Sequence, residues 1–127
     1  MTATYVKLQD AYAAETGAVG KWGVIGYIGP GTKNNAESYT TTAFDYDNKF
    51  TGADTEKGTT MVNALGTTAV DAWEAKAKTA LNDCQIGSIW HVKISAAGTG
   101  STVKYTPSID NSTNCEPLTA NFTKIGQ

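Results

Sequence analysis

Apolar side chains recur at spacings of three and four near the start of the chain and at a spacing of two after Cys84, and these two periods predict its best-defined elements. Over residues 4–16, Tyr5, Leu8 and Tyr12 share one side with Ala11 beside them, while Lys7, Asp10 and Glu15 fall elsewhere, the pattern of an amphipathic helix. Gly17 closes it. A helix of this length is marginal in water by itself, so it is expected to lie against the rest of the molecule. After Cys84, Trp90, Val92 and Ile94 alternate with His91, Lys93 and Ser95; a glycine-bearing turn covers 96–101; then Val103 and Tyr105 alternate with Lys104 and Thr106. This predicts an antiparallel hairpin with one wet face. Pro107 is expected to end its second strand, and residues 118–125 to return as a last strand carrying Phe122.

The intervening stretch is harder to place. Residues 17–66 carry frequent turn signals, among them Gly17, Gly20, Gly23, Gly26, Gly29-Pro30-Gly31, Asn34-Asn35, Gly52 and Gly58, and read mostly as loop. Short strands are expected at 24–28 and 42–46, as edge or connecting elements, with Phe44 and Tyr46 on one face and Asp45 and Asp47 on the other. A second helix is predicted over 68–82. Thr68 and Asp71 make a capping-type pair at its start, Ala69, Trp73, Ala77 and Ala80/Leu81 form an apolar stripe, and Glu74 to Lys78 is a supportive four-residue pair on a polar face that also holds Asp71.

Composition narrows the class. The length of 127 residues suits one domain, residues 1–127, with a single core. The net charge is -2 and arginine is absent, so the bidentate group favoured for phosphate is missing and nucleic acid is not an expected partner. The two cysteines, Cys84 and Cys115, flank the strand-rich stretch in a Gly/Thr/Asn-rich background with no second pair for a metal, and read as one structural disulfide formed outside the reducing cytosol. Closing a loop of roughly thirty residues stabilises by about 3.7 kcal/mol on the chain-entropy estimate. No run reaches the ~20 apolar residues needed to cross a bilayer.

Catalytic constellations do not stand out, and the chain is expected not to be an enzyme. His91, the single histidine, falls on the polar side of its strand and reads as a solvated strand residue. Asp45, Asp47 and Glu56 superficially match a calcium loop, but Lys49 stands where an oxygen ligand belongs and Phe50 where the sharp turn needs glycine. The Asp110, Asn111 and Asn114 loop offers oxygens but is already constrained by the disulfide. No metal or other cofactor is expected. Asn111-Ser112-Thr113 and Asn121-Phe122-Thr123 fit the N-glycosylation pattern, which is frequent by chance. One binding reading remains: Trp22, Tyr27, Tyr39 and Tyr46, if exposed, offer flat rings for stacking on a sugar or surface polymer, the mark of a secreted carbohydrate- or surface-binding module.

In their order, these residues resemble a known family. The helix with Tyr5, Leu8 and Tyr12, then Gly17, Trp22-Gly23-Val24-Ile25-Gly26-Tyr27, Pro30-Gly31 and Phe44-Asp45-Tyr46 resemble the soluble part of a bacterial type IV pilin. Asp83-Cys84, Gly87-Ser88-Ile89-Trp90 and Asn114-Cys115-Glu116-Pro117-Leu118-Thr119 are similar to a pilin C-terminal sheet with its disulfide-bounded region. The resemblance implies an α+β headgroup, with an N-terminal helix stub packed through Tyr5, Leu8 and Tyr12 on an antiparallel sheet and a second helix in the connection. It also implies a structural subunit of an extracellular pilus or of a type II secretion pseudopilus, working by polymerisation with other pilin subunits and by adhesion to a polysaccharide or cell surface. The leader and long apolar stem of such proteins are not in this sequence, so the chain is expected to be a headgroup truncated within its helix, with Met1 an added start. Membrane contact is expected only through that missing stem, while the precursor sits in the bacterial inner membrane.

Overall fold

In the computed structural model, which describes residues 3–98 and 100–126, the N-terminal period of three and four becomes helix α1 (Ala3–Thr16). The expected start at Met1 lies outside the described residues. The stripe α1 buries is Tyr5, Gln9 and Ala13, with Leu8 and Tyr12 half-buried on its flank. The face expected from apolar residues alone is therefore rotated toward a polar side chain. Gly17 follows, and strand β1 (Ala18–Gly20) leads to a single helical turn α2 (Trp22–Ile25), where an extended segment over 24–28 is expected from sequence. Gly26 explains the difference: at φ 78° it takes the left-handed conformation that closes a helix, and its N–H bonds back to the Trp22 carbonyl.

The next stretch is not mostly loop. Strands β2 (Thr32–Asn35) and β3 (Ser38–Thr40) form a hairpin, and β4 (Phe44–Asn48) follows. The strand expected at 42–46 thus begins two residues later, because Thr41 Oγ1 accepts the Phe44 N–H at 3.0 Å and holds the turn until then. β4 is an interior strand, paired with β3 on one side and with residues 73–77 on the other, not an edge. A short strand β5 (Thr59–Met61) pairs antiparallel with β1, and the helical turn α3 (Val62–Leu65) follows it.

The second helix expected over 68–82 is instead strand β6 (Val70–Ala77), hydrogen-bonded to β4 on one side and to β7 (Ile89–Ala96) on the other. Its alanines at 72, 75 and 77 satisfy either period, and a register shift between Asp71 and Trp73 buries Ala72 and Trp73 in succession, which imitates helical spacing. Pairing along both edges then overrides the local preference. Glu74 and Lys78 accordingly part company: Glu74 meets Lys49 at 3.8 Å, and Lys78 lies 3.9 Å from Asp45 while bonding Thr40 and the Thr41 carbonyl. Strand β8 (Val103–Ile109) pairs with β7 throughout, completing the hairpin read from the period of two.

The main sheet has the order β2-β3-β4-β6-β7-β8, antiparallel throughout. Pro107 does not end β8; it sits inside it opposite Val92, where an edge strand tolerates a residue without N–H. One face carries Tyr46, Trp73, Ala75, Trp90, Val92, Ile94 and Tyr105 into the core, and the other presents Asp45, Asp47, Glu74, Lys76, His91 and Lys93. After β8 the short helix α4 (Ser112–Cys115) and two 3-10 turns, Glu116–Thr119 and Phe122–Lys124, stand where a last strand is expected. Phe122 is nonetheless buried. The molecule is thus a mixed α+β fold with an N-terminal helix, antiparallel sheets and a Cys84–Cys115 disulfide, which joins the β6–β7 connection to α4.

Candidate functional site

Two segments are fastened to the inner side of the sheet: α1 and the C-terminal tail. The junction of α1 is built around one amide. Gln9, fully buried, donates from Nε2 to the Tyr5 hydroxyl and to the Gly20 carbonyl, both at 3.0 Å, and its Oε1 accepts the Gly20 N–H at 2.9 Å. The side chain therefore serves Gly20 as a neighbouring strand would, satisfying both backbone groups on the edge of β1 away from β5. A second bond ties the helix to the far edge of the sheet: the Tyr105 hydroxyl donates to Asp10 Oδ1 at 2.8 Å, with the Val6 carbonyl 3.3 Å away. Tyr5 packs edge-on against Tyr27 and Tyr105, at 5.5 and 6.5 Å between ring centres.

These phenols are held in their neutral form. Burial, ahead of any other cause, raises Tyr5 and Tyr105 far above the usual phenol value, and for Tyr105 the bond to Asp10 and its negative charge push the same way. Burial also raises Tyr27 and Tyr46. The Tyr5 and Tyr27 hydroxyls accept, from Gln9 and Trp73, and that of Tyr105 donates to Asp10, so these rings serve in hydrogen bonding and packing.

The tail is held covalently at one point and by aromatic contacts beyond it. Cys84 and Cys115 are both fully buried and bonded across a sequence separation of 31. Past that link, Trp90 Nε1 donates to Thr119 Oγ1 at 2.8 Å, and Phe122 lies against Trp73 with ring centres 5.8 Å apart. Gly126, at φ 78°, brings its backbone so close to Tyr105 that an added Cβ would stand 2.8 Å from the Tyr105 Cβ.

Trp22, Tyr27, Tyr39 and Tyr46, expected to stack on a surface polymer, are all interior: each is at most 5 % exposed. Trp22 packs on Tyr27 at 4.8 Å and faces Tyr39 at 6.2 Å, Trp73 Nε1 donates to the Tyr27 hydroxyl at 3.1 Å, and Tyr46 leans on Trp73 at 5.9 Å. Their reading as a binding platform is corrected to one of core packing. Surface apolar character lies instead at Ile28, Met61, Val70, Ile86 and Leu118 among the described residues.

A cleft of about 500 Å³ lies beside the disulfide-bounded tail and is lined by Phe44, Ala80, Leu81, Asn82, Leu118 and Thr119. None of those side chains ionises, so the cleft offers shape and apolar surface without acid–base chemistry. Asp45 is engaged by Thr40 at 2.8 Å, and among the described residues no three His, Cys, Asp or Glu side chains converge into a group that could hold a metal ion. No helix among them is long and apolar enough to cross a membrane.

Sequence reasoning places Tyr5, Leu8 and Tyr12 on the helix correctly but misses Gln9 and the Tyr105–Asp10 tie. Gln9 stands four residues after Tyr5 and four before Ala13, so helical spacing alone could have put it on the buried side. No protein-family model, curated protein or solved structure matches the chain.

Proposed function

We propose that this chain is the headgroup of a pilus-type structural subunit, of the type IV pilin or pseudopilin kind, that works by polymerisation outside the cell. The observation that carries the reading is the seating of α1: a 14-residue helix buries Tyr5, Gln9 and Ala13 and is tied to edge strand β8 through Tyr105, as a helix must be if it is to join a globular head to a fibre core. The Cys84–Cys115 link is compatible with an extracellular setting and fixes the tail to the sheet without relying on regular secondary structure. In this reading the apolar helical stem would precede α1, anchor the precursor in the inner membrane and pack with other subunits in the fibre.

Two measurements test it. The gene upstream of α1 should encode a short basic leader followed by a long apolar stretch, and an upstream sequence with neither removes the proposal. Antiserum raised against this domain should label thin surface filaments of the source cells by immunogold electron microscopy; label confined to the cytosol would overturn it.

A further inference from the structure

On the outer face of the sheet, away from the helix junction, His91 of β7 turns its two ring nitrogens toward two different carboxylates. Nε2 lies 3.0 Å from Asp110 Oδ1 and Nδ1 lies 3.5 Å from Asp71 Oδ1. The imidazole is 17 % exposed, against 47 % and 58 % for the two aspartates, and its Nδ1 is buried with no hydrogen-bond partner among the described residues. A neutral imidazole has a single N–H, so it can serve one of these carboxylates and turns a lone pair toward the other; the imidazolium carries a donor for each.

Other charged groups share this face, among them Lys76 of β6, whose register partner is Ile89. On β6, Glu74 stands opposite His91 in register but is engaged by Lys49 of the segment after β4, and Asp47 of β4 stands opposite Glu74 in turn. Lys93, two residues along β7, pairs in register with Asp71. On β8 the register partner of His91 is the uncharged Ser108, and Asp110 follows two residues later.

We propose that His91 is a proton-operated latch. Carrying both ring protons, it ties β6 through Asp71 to the segment that enters the disulfide-bounded tail through Asp110. When it releases one proton, one of the two ties is lost. That segment runs from the Asp110 N–H bond to the Ile89 carbonyl at 3.0 Å to the disulfide at Cys115, and the Cys115 N–H bond to Asn111 O at 2.9 Å lies within it. The readout is therefore local order over residues 110–115, and it does not depend on whether the domain serves a fibre. Partly exposed pairs are screened, so the effect is modest, roughly two- to fivefold.

The test is amide hydrogen exchange of the full chain at about pH 5 and about pH 8, the range in which histidine ordinarily changes charge, corrected for the intrinsic pH dependence of exchange. Protection of the Asp110 and Cys115 amides should fall roughly two- to fivefold with rising pH in the parent and stay level in His91→Gln. A level parent profile, or the same fall in both proteins, overturns the latch. Nitrogen NMR of the ring gives an independent reading: Asp71→Asn should move the Nδ1 resonance and Asp110→Asn that of Nε2. If neither substitution moves its own nitrogen, the proposal fails.

Discussion

Helix α1 and the C-terminal tail lie against the same sheet, but they are secured by different means. Within α1 the backbone satisfies most of its own hydrogen bonds, so docking needs only side chains: the Tyr5, Gln9 and Ala13 stripe and the Asp10 carboxylate. The tail is a chain of short turns with few backbone bonds of its own, and it is held by a covalent link, the Trp90 to Thr119 bond and Phe122 on Trp73. Regular structure can be docked through one stripe, whereas irregular structure needs several separate attachments.

The largest expected difference between the two follows from removing the tail's covalent hold. Replacing both cysteines by serine should destabilise the domain by about 3.7 kcal/mol on the chain-entropy estimate. Urea unfolding followed by circular dichroism measures this, and a midpoint unchanged from the parent would mean that the aromatic contacts alone hold the tail. Next comes the helix. Gln9→Ala strands the N–H and carbonyl of Gly20 inside the core and should cost about 3 kcal/mol, on the general cost of burying unpaired polar groups. A loss below about 0.5 kcal/mol would show that the amide is not the centre of the junction.

Alkali probes both regions through their shared tyrosine. Burial above all raises Tyr5 and Tyr105, so the folded state keeps their protons more tightly than the unfolded chain does. That contribution is fully present below the ordinary phenol value of about 10 and is lost as pH rises above it. Thermal melts at about pH 8 and about pH 11 should show a clear drop at the higher value; equal melting temperatures would contradict it. Tyr105→Phe should give the smallest change, about 1 kcal/mol, since it removes one hydroxyl from a partly buried bond. It should loosen the exchange of α1 amides more than those of the tail.

The same contrast explains what could be read from the residues in advance. The β7–β8 hairpin is legible because Trp90, Val92, Ile94, Val103 and Tyr105 each alternate with a polar neighbour, even though Ser95 is buried next to Ile94 and Pro107 lies inside β8. The cysteine pairing is legible because there is no competing partner. Strand β6 is not, since its irregular register places Ala72 and Trp73 inside together and alanine leaves no preference strong enough to object. The β2–β3 hairpin escapes notice because all four residues of β2 are exposed and carry no apolar alternation. Phe122 marks the tail as buried, yet its partner Trp73 is 49 positions away, so whether the chain around it is extended or coiled is decided by a tertiary contact. For the junction, helical spacing identifies the candidates, but the role of Gln9 depends on Gly20 arriving beside it.

The two rims of the main sheet carry a further consequence. One ends in β2, fully exposed, with Lys33 and an irregular register just beyond it; the other ends in β8, interrupted by Pro107. A lysine, a kink and a missing donor each discourage another chain from adding itself as the next rung. However densely copies are crowded, they are steered away from zipping into a continuous ribbon, and any ordered packing among them has to be made by side chains meeting side chains.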